Sequence, residues 1–219
     1  MSPLCTYTSG PMLTLVIGNK NLSSWSLRPW LVMKRYGVAF REIKLQLDTP
    51  QFQEQIVKYS WARRVPVLID GEAHIWDSLA IVEYVNEKVD GRAWPADPLL
   101  RAHARSVSAE MHSGFQAMRT TWPMHTTGHN PHVPLTPEGR GDVARVQAIW
   151  DDCRTKYGAR GPWLFGEFSI ADAMYAPVVL RFNHYGATGL TAQSQAYMQQ
   201  WLQDSVMREW FADAQREVA

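Results

Sequence analysis

One stretch of the chain carries residue types suited to holding a small anionic peptide. It runs Arg63-Arg64-Val65-Pro66-Val67-Leu68-Ile69-Asp70-Gly71 and continues to Trp76-Asp77-Ser78. Val65 to Ile69 is a β-branched run with a proline inside it. Proline donates nothing to a strand ladder, so Pro66 belongs at a strand start or after a cis bond. A cis bond there turns the N–H and C=O of Val65 away from the sheet, free to pair with an extended peptide. Asp70-Gly71 is a two-residue hairpin signal. Asp77-Ser78 then opens the apolar helical run Leu79 to Val85. The first turn of a helix offers unpaired N–H groups and a positive dipole end, which suit a carboxylate. The plainer alternative is a buried hairpin followed by a helix in which Asp77 and Ser78 are caps only.

The elements that must hold this stretch follow from hydrophobic period and punctuation. Leu13 to Ile17 reads as a first strand, and Gly18 to Trp25 as a loop. Ser26 caps a helix from Leu27 to Tyr36, with Pro29 in its first turn and Gly37 at its stop. Phe40 to Leu47 alternates and reads as a second strand. Thr49-Pro50 opens a short helix with threonine as cap and proline at the first position. With the hairpin and the Ser78 helix the order is β-α-β-α-β-β-α, the thioredoxin-like layout. Gly91 to Pro98 is rich in Gly, Pro and Asp and reads as a linker. Beyond it no strand pattern recurs. Leu100, Ala104, Val107, Met111, Phe115 and Met118 follow helical steps and predict one long helix. Thr136-Pro137 opens a second. Ser169-Ile170-Ala171-Asp172 is a capping-box start to an apolar, central helix. Two more helices are expected near Ala192 to Gln203 and Val206 to Glu217. Met1 to Pro11 reads as a loose extension.

Val65-Pro66-Val67-Leu68, a hairpin, and the start Asp77-Ser78-Leu79-Ala80-Ile81 together resemble the glutathione site of the cytosolic glutathione S-transferases. The resemblance covers nearly the whole chain. Gly166-Glu167-Phe168-Ser169-Ile170-Ala171-Asp172 looks like that family's helical-domain folding motif, which is structural. Ser23-Ser24-Trp25-Ser26-Leu27-Arg28 resembles the zeta-class motif Ser-Ser-Cys-Ser-x-Arg, with Trp25 replacing the cysteine. The implied fold is an α/β thioredoxin-like N-terminal domain over residues 12–90, a linker over 91–97 and an all-α domain over 98–219 that carries the electrophile pocket.

The implied activity is conjugation of reduced glutathione, a cosubstrate, to small and largely apolar electrophiles. A hydroxyl at the start of the first helix supplies what a thiolate needs, a donor and a positive field. The zeta-like alignment selects Ser23 for this role, and a theta-like Ser-x-x-x-Arg spacing selects Ser24. By the same resemblance Val65 pairs with the cysteinyl unit, and Asp77 and Ser78 hold the γ-glutamyl end. Arg64 and Lys58 either meet the glycine carboxylate or are solvated surface charges. Met111, Phe115 and Met118 divide between core and an adaptable electrophile pocket. Arg119 and Arg181 either bind a substrate carboxylate or serve in ion pairs. Two alternatives stand beside conjugation. One is a zeta-like glutathione-dependent cis–trans isomerase of a maleyl-type diacid, which needs a cationic pocket. The other is a glutathione- or partner-binding protein without significant turnover.

Composition narrows the field further. The chain has 219 residues, 46% of them apolar, and a net charge of +1, which disfavours nucleic acid as a partner. No apolar stretch approaches the ~18 residues of a membrane span, and no secretory signal pattern opens the chain. Cys5 and Cys153 are the only cysteines, so a disulfide framework is not expected and a reducing cytoplasm fits. His125, His129 and His132 lie in a Pro/Gly-rich loop without a completing carboxylate or cysteine, so no metal is expected. A homodimer is expected from the resemblance and the aromatic content.

Overall fold

The computed structural model describes residues 12–218. The expected loose extension Met1–Pro11, with Cys5, lies outside the described residues. The element order is β1 (Leu13–Gly18), α1 (Ser24–Arg35), β2 (Phe40–Leu45), α2 (Pro50–Ile56), β3 (Val67–Asp70), β4 (Ala73–Ile75) and α3 (Ser78–Lys88). Six further helices follow: α4 (Pro98–Ser113), α5 (Gln116–Thr121), α6 (Pro137–Tyr157), α7 (Ile170–Tyr185), α8 (Ala192–Gln203) and α9 (Ser205–Val218).

The four strands form one mixed sheet in the order β2-β1-β3-β4. β1 runs parallel to β2, with Leu15 opposite Glu42, and antiparallel to β3, with Leu15 opposite Leu68. Every residue of β1 is buried, because it is an inner strand covered on both faces. Side chains alternate along a strand. Leu13, Leu15 and Ile17 accordingly enter the main core beneath α1 and α3, while Val16 joins Leu45, Ile56 and Val67 under α2. This thioredoxin-like layer packs on a helical remainder: α1 lies against α7, and α4 packs on α7 as well.

α7 is the axis of the helical part, buried on nearly every face. Its start is locked by Asp172, which is fully buried. One carboxylate oxygen accepts the Ser169 N–H at 2.9 Å, completing the capping box. The other accepts the Leu164 N–H at 2.9 Å and the Tyr197 hydroxyl at 3.1 Å. Sequence reading found the box but not these last two partners, which come from elsewhere in the chain.

Three expectations need correction. Ser26 is not the cap of the first helix. The helix starts at Ser24 with Ser23 in the cap position, and the Ser26 hydroxyl instead accepts the Gly18 N–H at 3.2 Å, tying the helix to the end of β1. β2 ends at Leu45 rather than Leu47; beyond it the Leu47 N–H donates to the Asn19 side chain at 2.8 Å, away from the ladder. The single long helix from Leu100 to Met118 is two helices. Gly114 is extended and Phe115 is left-handed at φ 60°, which ends α4 and starts α5. The Arg119 guanidinium donates to the His112 and Gly114 carbonyls at 3.3 and 3.1 Å and closes the break.

Candidate active site

A cleft of about 500 Å³ opens where the sheet layer meets α4. Trp25, Ala62, Arg64, Val65, Pro66, Trp76, Asp77, Ser78 and His112 line it. The structure thus brings together Arg64, Val65, Asp77 and Ser78 of the predicted set. The Val65-Pro66 bond is cis. Val65 stands outside the β1–β3 ladder, and its backbone makes no hydrogen bond among the described residues. Its N–H and C=O are therefore available to an extended ligand chain.

Asp77 and Ser78 divide the work at the start of α3. Asp77 is the cap: its Oδ1 accepts the Leu79 and Ala80 N–H groups at 3.0 and 3.3 Å. Its Oδ2 lies 2.8 Å from His112 Nε2 on α4. Burial lowers the His112 pKa, Asp77 opposes that, and Arg28 and Arg119 add to it. Ser78 is the first residue of the helix and does not cap it. Its side chain is buried, only 1% exposed, and its hydroxyl has no hydrogen-bond partner. A buried unpaired hydroxyl costs about 1–3 kcal/mol, so its position on the wall of a cleft points to an acceptor that arrives from outside.

Ser23 and Ser24 precede the cleft residue Trp25 in sequence and are not themselves on the cleft wall. Ser23 is buried, and its Oγ lies 2.7 Å from the Ser26 Oγ. Ser24, the first residue of α1, is half-buried. Lys58 is exposed on the loop after α2 and does not line the cleft. Met111, Phe115 and Met118 were expected to divide between core and pocket; all three pack in the core, and Met118 has no accessible surface. The helices that carry them pack inward, α4 on α7 and α5 on α6.

Two arginines lie against the Trp25 ring, and a third, Arg181, is buried on α7. Arg28 and Arg119 place their guanidinium carbons 4.3 and 4.4 Å from the Trp25 ring centre. Arg28 is buried, and its Nε and Nη1 have no partner. Burial first, and then the charges of Arg119 and Arg181, lower its pKa to about 9, with Asp77 opposing. Arg181 donates to the Trp122 carbonyl, but its Nε is also unpaired, and burial brings it down to about 10. Sequence reading missed Trp25, Trp76 and His112 as cleft residues, since nothing local marks the approach of α4.

Two other features lie outside the cleft. A cavity of about 390 Å³ bordered by Trp122, Val143, Tyr185 and Leu190 holds no unpaired buried polar atom among the described residues. His103, Asp152 and Cys153 bring possible metal-binding atoms within 4.8 Å of one another. Burial pushes the Cys153 thiol up to about 12, which opposes the thiolate a metal would take. In the Pro/Gly-rich loop, His129 Nδ1 meets the Asn183 carbonyl at 3.1 Å and His125 stacks on His184.

The family model for the glutathione S-transferase N-terminal domain matches residues 22–88. A maleylacetoacetate isomerase from Rattus norvegicus is 30% identical over 166 residues, 74% of this chain and 74% of its own. A dichloromethane dehalogenase from Methylorubrum extorquens is 43% identical over 61 residues, 27% of this chain. The match spans only 21% of that dehalogenase, and a match to a probable maleylacetoacetate isomerase of Caenorhabditis elegans spans 44% of its length. A glutathione transferase homolog from Burkholderia, solved with bound glutathione, superposes with a TM-score of 0.70 at 20% identity, covering 93% of this chain and 98% of that one.

Proposed function

The chain belongs to the glutathione S-transferase family, and on that premise we propose that it binds reduced glutathione in the cleft and transfers its sulfur to a small electrophile. The observation that carries this reading is the Ser78 hydroxyl, buried, unpaired and on the cleft wall at the start of α3. A γ-glutamyl carboxylate there accepts a hydrogen bond from the hydroxyl and meets the positive end of the helix together. The Asp77 carboxylate lies beside it for the ammonium, with Oδ1 on the cap and Oδ2 shared with His112. Val65 offers its N–H and C=O to the cysteinyl unit, and Arg64 faces the glycine end. Lys58 contributes at most long-range charge.

Thiolate formation falls to the start of α1. The Gly18 N–H occupies one lone pair of Ser26, which leaves the Ser26 proton free to point at Ser23. Hydroxyl protons rotate to suit their partners. In the free protein Ser23 donates to Ser26; when glutathione binds, Ser26 turns to donate to Ser23, Ser23 donates to the sulfur, and the N-terminus of α1 adds its field. The thiol proton leaves to solvent. The thiolate supplies the electron pair of the new C–S bond, and the leaving group departs with the pair of the bond that breaks.

A second reading is supported by the rat relative's identity over 74% of its length. In it the thiolate adds to a maleyl-type double bond, the resulting single bond rotates, and elimination returns the thiolate. Trp25 in place of a cysteine separates this chain from the zeta motif. Turnover of maleylacetone tests this reading, and turnover of a generic aryl halide separates either enzyme from a glutathione-binding protein without chemistry. We also assign the chain to a cytoplasmic homodimer with a role in detoxification. No helix among the described residues is long and apolar enough to cross a membrane. The first experiment is the melting temperature with millimolar reduced glutathione. A rise is expected, since a ligand selective for the folded state stabilises it; no shift overturns the proposal.

A further inference from the structure

We propose that Glu217, in the last turn of α9, is a positioning residue for the Ser23 hydroxyl, because it fixes the loop over residues 19–23 from the far end of the chain. The inference rests on the glutathione reading, since it concerns the group that reading sets beside the sulfur.

Loops normally run over the surface, but in this one Asn19, Lys20 and Ser23 are buried. The Asn19 carbonyl accepts the Leu22 and Ser23 N–H groups at 3.1 and 2.8 Å, a tight turn that sets Ser23 at the start of α1. The Lys20 and Asn21 N–H groups are not used within this turn. Glu217 takes both, one on each carboxylate oxygen, at 3.0 and 3.1 Å. The Lys20 carbonyl accepts from the Thr126 hydroxyl at 2.7 Å and from the Trp210 indole N–H at 2.8 Å. The Asn21 carbonyl accepts the Thr126 N–H at 3.0 Å. All of these outside partners come from the helical part of the chain.

Glu217 differs from the other partners in standing where a carboxylate is disfavoured. The last turn of a helix carries negative partial charge, which opposes an acid there, and the Glu217 side chain is only 5% exposed. Lys44 Nζ, 3.0 Å from Oε1, offsets part of that cost. The Lys20 ammonium does not, since it goes to Glu42 at 2.8 Å and Asp213 at 2.6 Å. Arg216 pairs with Asp213 as well. What the buried carboxylate gains is two successive loop N–H groups, and bonds of this charge-assisted kind are stronger than neutral ones. These two N–H groups have no other acceptor among the described residues. A group that acts on a reacting atom must be held to within about 0.5 Å, and the turn that carries Ser23 is held by this contact.

Glu217→Ala separates positioning from two other roles, docking of α9 alone and action through charge alone. Bound glutathione is titrated through its thiolate absorbance in the ultraviolet. Loosening Ser23 should raise the pKa of the bound thiol by about one unit, which leaves about tenfold less thiolate below that pKa. A charge effect has the opposite sign, since removing a nearby negative charge favours the thiolate and lowers the pKa. Glu217→Gln keeps one acceptor oxygen and should fall between the parent and Glu217→Ala. Affinity for glutathione in calorimetry should change little, because Val65, Asp77 and Ser78 lie around β3 and α3. Glu209→Ala is the control: it removes another ion pair of α9, to Lys34 on α1, and should leave the pKa in place. An unchanged or lowered pKa in Glu217→Ala, or an equal rise in Glu209→Ala, overturns the inference. Hydrogen exchange of the free protein gives a readout without ligand. The Leu22 and Ser23 amides should exchange faster in Glu217→Ala while those of α7 do not, and unchanged exchange overturns the inference. If Glu217→Ala fails to fold, the same two measurements on Glu217→Gln decide. The glutathione reading fails separately, when glutathione gives no melting shift in the parent protein; exchange is measured without glutathione and still decides whether Glu217 holds the loop.

Discussion

Replacing Ser78 by alanine should move stability and affinity in opposite directions. In the free protein the Ser78 hydroxyl is buried and unpaired. Removing it relieves a desolvation cost of about 1–3 kcal/mol, and alanine is also the better helix former. No cap is lost, because Asp77 holds the Leu79 and Ala80 N–H groups. The free variant should melt at the same temperature as the parent or higher by a few degrees, at about 2–4 °C per kcal/mol for a chain of this size. With glutathione the sign reverses. A hydrogen bond to a carboxylate contributes about 1.5–3 kcal/mol, so its loss should weaken binding about 10- to 150-fold. Calorimetric melting of the free variant and titration with reduced glutathione measure the two quantities on one preparation. A free variant that melts several degrees lower with unchanged affinity would refute the reasoning, and Ser78 would then serve the fold alone.

Ser23→Ala should raise the pKa of bound glutathione and slow turnover at neutral pH with little change in affinity; each pKa unit is about 1.36 kcal/mol between protonation states. Ser24→Ala is the matched control, and ultraviolet titration of the thiolate reads both; a shift in Ser24→Ala alone moves the role one residue along. Asp172→Ala should cost about 3 kcal/mol or more in denaturant melts, since the Leu164 and Ser169 N–H groups and the Tyr197 hydroxyl lose their acceptor. Burial pushes the Asp172 carboxyl up to about 6, so the folded state holds its proton more tightly than the unfolded one. That contribution is complete below about pH 4 and is lost as pH rises through about 6, so Asp172→Asn should flatten stability over this window. Light scattering at micromolar concentration should return the mass of a dimer; a monomer mass removes that proposal.

Much of the architecture is written in local pattern, and the site only in part. The strand alternation of β1, the Thr49-Pro50 and Thr136-Pro137 helix starts and the Ser169–Asp172 box each rest on neighbours in sequence, and the structure has them. The break between α4 and α5 was invisible because the apolar period runs on through Phe115 and Met118; what ends the helix is an extended Gly114, a left-handed Phe115 and a guanidinium folding back. Ser26 has the right residue type for a cap, but its hydroxyl is taken by the end of a strand.

The arginine cluster left a signal of another kind. Arg28 sits between Leu27 and Pro29 in a fully buried stretch of α1, and Arg181 between Leu180 and Phe182 in a helix buried all round. A cation at such positions contradicts the local pattern, and chains tolerate that where function requires it. Read alone, each arginine asks for a carboxylate from the fold. Brought together, the arginines repel one another, and the chain supplies an indole where a carboxylate would stand.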